Sequence, residues 1–176
     1  HPDLRGKIWL NAKEIPGNRK DDDNNGFVDD TWGWDFVRKD NAPHDKYGHG
    51  THVSGIAAAE TNNGKGIAGV GFSNSVRIMP IQALNDQGIG FTSDIARGIR
   101  YAADNGAKVI NLSLGGGNSA TMKDAVDYAF NKGVVIVAAA GNNDGGAVIY
   151  PAAYENVIAV SATNFNDNIA SFSSVG

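Results

Sequence analysis

The chain has no cysteine among its 176 residues, which excludes both a disulfide framework and a thiol nucleophile. Any cross-bracing must come from elsewhere, with metal ions the first candidate. It has no basic run, and 15 Lys and Arg stand against 19 Asp and Glu for a formal net charge of -4. That balance is too mild to suggest a nucleic-acid partner. No apolar run approaches the roughly 20 residues that span a bilayer. The longest is Val134 to Ala140, and no charged-then-apolar leader precedes it, so no membrane partner is expected. There is no initiating methionine, and a start at His1 is compatible with removal of a signal and a propeptide, or with a cloned piece. No Gly-x-Ser-x-Gly elbow occurs, and Ser54, Ser93, Ser113, Ser161 and the Ser171 to Ser174 cluster fall in helix, cap or strand contexts without a paired base.

What the chain has in quantity is glycine, 23 of 176 residues, as suits a fold whose loops carry the chemistry. Residues 1 to 48 are rich in Asp, Asn, Gly and Pro, with short apolar pieces at Ile8 to Leu10 and Trp32 to Val37, and read as an elaborated loop region. Beyond them helix and strand patterns alternate. Helices are expected over His52 to about Glu60, over Ser93 to Asp104 with a Thr92 or Ser93 cap, and over Ala120 to Asn131. Strands are expected over Val76 to Leu84, Lys108 to Leu114, Val134 to Ala140 and Val157 to Ala162. Short, uniformly apolar strands between helices imply an α/β fold, a doubly wound parallel sheet with helices on both faces, as one domain without a linker. Ligands bind such sheets outside the carboxyl ends of the strands. Gly64-Lys-Gly-Ile-Ala-Gly69 satisfies G-x-G-x-x-G, but it follows a helix and leads into a strand, the reverse of a dinucleotide site.

Two histidines three apart stand among glycines in His49-Gly-Thr-His-Val-Ser-Gly55, with Val53, Ile56, Ala57 and Ala58 following at helical spacing. His49 is therefore expected near a helix N-terminus, where the macrodipole favours the neutral imidazole that a general base requires. A pair of this kind can also do no more than cap and pack a helix start. The heptad resembles the histidine motif of the subtilisin-like serine peptidases, and three further segments resemble that family in the right order. His1-Pro-Asp-Leu4 is similar to the segment after its catalytic aspartate, Asn111-Leu-Ser-Leu-Gly-Gly116 to its substrate-binding strand end, and Ala138-Ala-Ala-Gly-Asn142 to its oxyanion-hole motif.

The resemblance implies a secreted serine endopeptidase that takes protein or peptide substrates in extended conformation, with a propeptide as a further partner. It makes His49 the base and Asn142 the oxyanion donor, although Asn142 taken alone would be a turn former. It implies substrate pairing along Gly88-Ile89-Gly90 and Ser113-Leu114-Gly115, and a first pocket lined by Leu114, Ala138 to Ala140 and Gly141. The family's catalytic Asp would precede His1 and its serine would follow Gly176, so the chain reads as 1–176 of a catalytic domain incomplete at both ends and inactive alone. A non-catalytic calcium-binding module or an inactive homologue is the alternative.

A second chemistry is written in Asp21-Asp-Asp-Asn-Asn-Gly-Phe-Val-Asp-Asp30. Asp21, Asp23 and Asn25 alternate before Gly26 as in the first half of an EF-hand loop, and five carboxylates within ten residues repel one another unless a hard cation is bound. Calcium is the expected cofactor, held by Asp21, Asp23, Asn25, the Phe27 carbonyl and Asp30. Trp32 stands where an EF-hand places its bidentate Glu, so the paired helices of an EF-hand are not expected. A solvated acidic turn is the other reading. The family resemblance alone implies a second calcium site, with Asp3 and Asn63 as ligands.

Overall fold

The computed structural model describes residues 1–176 apart from Asn74. The chain forms two compact units, His1–Asp94 and Ile95–Gly176. Among the described residues no helix is long and apolar enough to cross a membrane.

The first unit opens with a 3-10 helix, Pro2–Lys7, whose proline at the start pre-sets φ and whose Asp3 N–H is accepted by the His1 ring. The chain then extends, and Ile8 bridges in parallel to Ile78, with Trp9 N–H donating to Ile78 O and Ile78 N–H to Lys7 O at 2.7 Å each. Farther along, β1 (Trp34–Asp35) pairs in parallel with β2 (Ile81–Gln82). Trp34 N–H donates to Pro80 O and Phe36 N–H to Gln82 O, so residues 78, 80 and 82 present one edge to both partners in turn. Where an unbroken strand was expected over Val76 to Leu84, only this short ladder forms. The loop between the two pairings is pinned over a small aromatic core, in which the Phe27 ring sits edge-on to Trp34 at 5.0 Å and to Phe36 at 5.6 Å. Helix α1 (His49–Ala58) starts earlier than the periodicity indicated and packs on the 3-10 helix.

Helix α2 (Thr92–Asp104) begins at Thr92, one residue ahead of expectation, and from Ile95 it belongs to the second unit. There β3 (Val109–Leu112), β4 (Val135–Ala139) and β5 (Ile158–Val160) form a parallel sheet in the order β3-β4-β5. Helix α3 (Ala120–Asn131) has the expected bounds. Ser119 Oγ accepts the Met122 N–H at its start, and the stripe Met122, Ala125, Val126 and Ala129 is buried. Its packing against β4 covers one face of the sheet, on which Ile110, Leu112, Ile136 and Ala138 are buried.

The parallel α/β architecture matches the sequence reading. Val109, Val135, Ile158 and Val160 on these strands are 46–59% exposed.

Both helices end in the same way. Gly106 and Gly133 take left-handed φ of 82° and 79°. Ala107 N–H reaches back to Ala102 O and Val134 N–H to Ala129 O, while each glycine N–H bonds the carbonyl three residues before it. These are Schellman caps that turn each helix directly into the next strand. A Cβ at either glycine would meet nothing within 4 Å, so only backbone strain opposes a side chain there. Gly133→Ala should therefore destabilise the chain by about 1–2 kcal/mol, and Gly133→Asn by less, as measured by urea denaturation.

Candidate active site and metal centre

His49 is the first residue of α1 and is exposed. The helix cap at Gly48 lies at φ 93° and offers no side-chain acceptor. Asp45 supplies one from outside the helix. Its Oδ1 accepts the Tyr47 N–H at 3.1 Å and the Gly48 N–H at 2.7 Å, and its Oδ2 accepts the Thr51 N–H at 2.7 Å. The backbone on either side of His49 is thus held by a single carboxylate. Burial raises the Asp45 pKa, but donation from Thr51, Gly48 and Tyr47 outweighs it and holds the carboxyl below its ordinary range. Asp45 was not singled out in the sequence, although an Asp shortly before a helix start is a capping signal.

In the same unit Gly88-Ile89-Gly90 closes a tight turn around Asn85. Asn85 N–H donates to Ile89 O, and the Asn85 side chain accepts from the Gln87 and Ile89 N–H groups. Ile89 is 68% exposed, so this segment presents its surface outward. A Cβ on Gly90 would lie 2.3 Å from Ala83 O, so Gly90 is needed for the turn itself.

In the second unit Asn142 is exposed just past the carboxyl end of β4, where ligands meet parallel sheets. Its loop is clamped by the segment 172–174, with Ser174 N–H donating to Gly141 O, Asp144 N–H to Phe172 O and Gly145 N–H to Ser173 O. Ser113-Leu114-Gly115 follows β3, with Ser113 Oγ accepting the Asn111 amide at 2.9 Å. The space beside Gly115 belongs to the fold, because a Cβ there would lie 2.4 Å from Ile149 Cδ1, while Gly116 pairs with Tyr150. One pocket expectation is corrected. Strand alternation turns Ala138 and Ala140 into the core at 1% exposure each and leaves only Ala139 outward, so the three alanines do not line a surface together.

The acidic loop folds around its own backbone. Asp21 accepts from the Asn25 and Gly26 N–H groups, Asp23 from the Asn25 N–H, and the Asn25 side-chain oxygen Oδ1 from the Phe27 N–H. Asp30, fully buried, accepts the side-chain amides of Asn11 and Asn25. Carboxylate oxygens of Asp21 and Asp23 come within 4.8 Å of one another and of a third, Glu14, which sequence spacing did not reveal. Glu14 is 6% exposed and its Oε2 has no hydrogen-bond partner. Burial, with the Asp30 and Asp22 charges adding to it, raises its pKa against the Asp23 and Asp22 N–H groups that lower it. A buried carboxyl group with one orphaned oxygen, clustered with two other carboxylates, fits a bound cation.

Asp3 and Asn63 are also brought together. Asp3, buried, accepts from the Asn63 amide at 2.7 Å and the Ile67 N–H at 3.0 Å. These bonds, the Asn63 one foremost, lower its pKa. Asn63 Oδ1 is engaged by the Lys65 N–H, so in this arrangement Asn63 meets Asp3 as a donor.

Parallel strands with polar groups at their carboxyl ends, and a helix opened by an exposed histidine, define a class of α/β protein that presents its chemistry on loops. The chain belongs to the subtilase family, whose model (Peptidase_S8) matches residues 1–176. It is 56% identical over 177 residues to the thermophilic serine proteinase of Bacillus sp. (strain AK1), covering 100% of this chain and 38% of that protein. To thermitase of Thermoactinomyces vulgaris it is 48% identical over 178 residues, covering 100% of this chain and 55% of that protein. Among solved structures it resembles sphericase with a TM-score of 0.73 and 34% identity, over 99% of this chain and 54% of that one. The chain thus spans about half the length, or less, of these relatives.

Asp45→Ala should loosen the start of α1. An exposed cap of this kind is worth about 0.5–1 kcal/mol. The pH dependence follows from the lowered pKa. Stabilisation by Asp45 is complete above its ordinary value of 3.8 and is lost as pH falls through the folded value. Thermal melts of wild type and variant should differ at neutral pH and converge in acid.

Proposed function

We propose that this chain is part of the catalytic domain of a secreted subtilisin-like serine endopeptidase. The observation that carries the reading is the presentation of His49, exposed at the first position of α1 with its flanking backbone held by Asp45, in a chain of the subtilase family. A serine and an aspartate from elsewhere in the longer protein complete the machinery. His49 takes the serine proton as general base and returns it to the leaving amine. The aspartate orients and stabilises the imidazolium, and the Asn142 amide donates to the oxyanion. Acyl transfer to serine is followed by transfer to water. Extended peptide is held by backbone pairing along Gly88 to Gly90 and Ser113 to Gly115, which is insensitive to sequence and gives broad specificity.

Calcium is the proposed cofactor of the loop Asp21 to Asp30. It is held by Asp21 and Asp23, with Asn25, the Phe27 carbonyl and Asp30 completing the loop's contribution. Its role is structural, since it relieves the repulsion of clustered carboxylates and ties the loop down. Asp3 and Asn63 are proposed for a second site. The orphaned Glu14 oxygen favours an ion at the loop over a solvated acidic turn.

In the whole protein His49→Ala should abolish turnover of a chromogenic peptide. Asn142→Gly should lower kcat by about 10²–10³ with KM little changed. That range is the one known for such a donor in subtilisin itself, a member of the same family. An effect of Asn142→Gly on KM alone would overturn the oxyanion role.

Chelation should lower the melting temperature of the chain. A ligand at a hundredfold excess over Kd stabilises by about 2.7 kcal/mol, and the double change Asp21→Asn with Asp23→Asn should remove most of that shift. A melt indifferent to both would return the loop to a solvated acidic turn.

A further inference from the structure

Glu14 stands outside the acidic loop in sequence but inside it in space. Its Oε1 accepts the Asp22 N–H at 2.9 Å and the Asp23 N–H at 3.2 Å, which turns the carboxyl group over the first half of the loop. Its Oε2 is buried and has no hydrogen-bond partner. The neighbouring oxygens are provided for differently. Asp21 uses Oδ1 and Oδ2 on the Asn25 and Gly26 N–H groups. Asp23 uses Oδ1 on the Asn25 N–H and Oδ2 on the Asn11 amide, with the Lys13 ammonium 3.9 Å away on a side chain 73% exposed. A folded chain rarely leaves a buried carboxylate oxygen unmatched beside two other carboxylates, because no arrangement of like charges repays its desolvation.

We propose that Glu14 is a calcium ligand, and that the ion lies on the Glu14, Asp21 and Asp23 carboxylates. Glu14 thereby takes the place of the acidic residue that an EF-hand carries at its twelfth position, occupied here by Trp32. The distances suit the ion. Two oxygens each about 2.3–2.6 Å from one calcium are at most about 5 Å apart, and those of the three carboxylates lie within 4.8 Å of one another. The rear of the loop has a different task. Asp29 accepts the Gly17 and Arg19 N–H groups and closes the turn, and Asp30 gathers the amides of Asn11 and Asn25. These two acids shape the loop, and Glu14 with the front pair charges it. The inference rests on the calcium reading of the loop and changes which residues hold the ion.

Calorimetric titration of the full chain with calcium chloride tests it, with Glu14→Gln and Asp22→Asn as variants. The glutamine retains an oxygen for the Asp22 and Asp23 N–H groups but replaces the orphaned oxygen with an amide. Asp22→Asn makes the same change of charge between the two loop ligands. Glu14→Gln should weaken Kd at least about tenfold, and Asp22→Asn only a few fold. Melts in chelator separate a ligand from a purely structural residue: without calcium Glu14→Gln should be at least as stable as wild type, since it removes an unmatched buried charge. Wild-type binding with an unchanged Kd in Glu14→Gln overturns the assignment of Glu14 and leaves the calcium reading standing. Equal losses in both variants, or a loss of stability in Glu14→Gln that persists in chelator, also overturn it. Absence of binding by wild type overturns the loop reading and this inference together.

Discussion

Carboxylates that accept backbone N–H groups hold the first unit together. Its strands β1 and β2 are two residues long and cannot by themselves satisfy the polar backbone of so much irregular chain. Side chains take over. Asp3 fixes Ile67, Glu14 fixes Asp22 and Asp23, Asp21 fixes Asn25 and Gly26, and Asp29 fixes Gly17 and Arg19. Asp35 fixes Val37 and Arg38, and Asp45 fixes Gly48 and Thr51. The acidic composition of residues 1 to 48 is thus a structural resource in its own right. A hydrogen bond to a charged acceptor is worth more than a neutral one, about 1.5–3 kcal/mol, which suits a region with little apolar core.

This division of labour explains which features were legible in the sequence. Helix α3 was readable to the residue because its signals are local: an apolar face at helical spacing and a following glycine. The three strands of the second unit were centred correctly but drawn too long, since apolar residues continue past the last ladder bond into the turns. The placement of His49 at a helix start and of Asn142 after a parallel strand could be read for the same local reasons. Ile8 and Trp34 could not be placed, because each is positioned by a partner in the distant segment 78 to 82. Nor could Glu14, whose relation to the loop is set by two backbone bonds that leave no pattern in spacing.

The glycines of the segments proposed to pair with substrate answer first to the demands of the fold. Gly90 lets the chain pass against Ala83 O, and Gly115 leaves room for Ile149. Both would be required by the fold even if no peptide ever paired with these segments. Their presence is therefore weaker support for substrate binding than the outward exposure of Ile89. By contrast, Asn142 answers no comparable packing need, since it is exposed and its loop is clamped through the backbone of its neighbours. The side chain is left available for chemistry while its position is fixed.

Two kinds of carboxylate emerge, and they fail under different conditions. Asp3 and Asp45 are matched by N–H donors, and their pKa values are lowered. They keep their charge well into acid and need nothing from solution. Glu14 has one oxygen matched by N–H donors and one unmatched, and its pKa is raised. Among the described residues its charge meets two N–H donors and no cationic side chain. Removing a cation would therefore strain the front of the acidic loop at neutral pH while the Asp45 bonds beside His49 stay intact. His49 and the acidic loop lie in one compact unit, yet each is stabilised by its own electrostatic device.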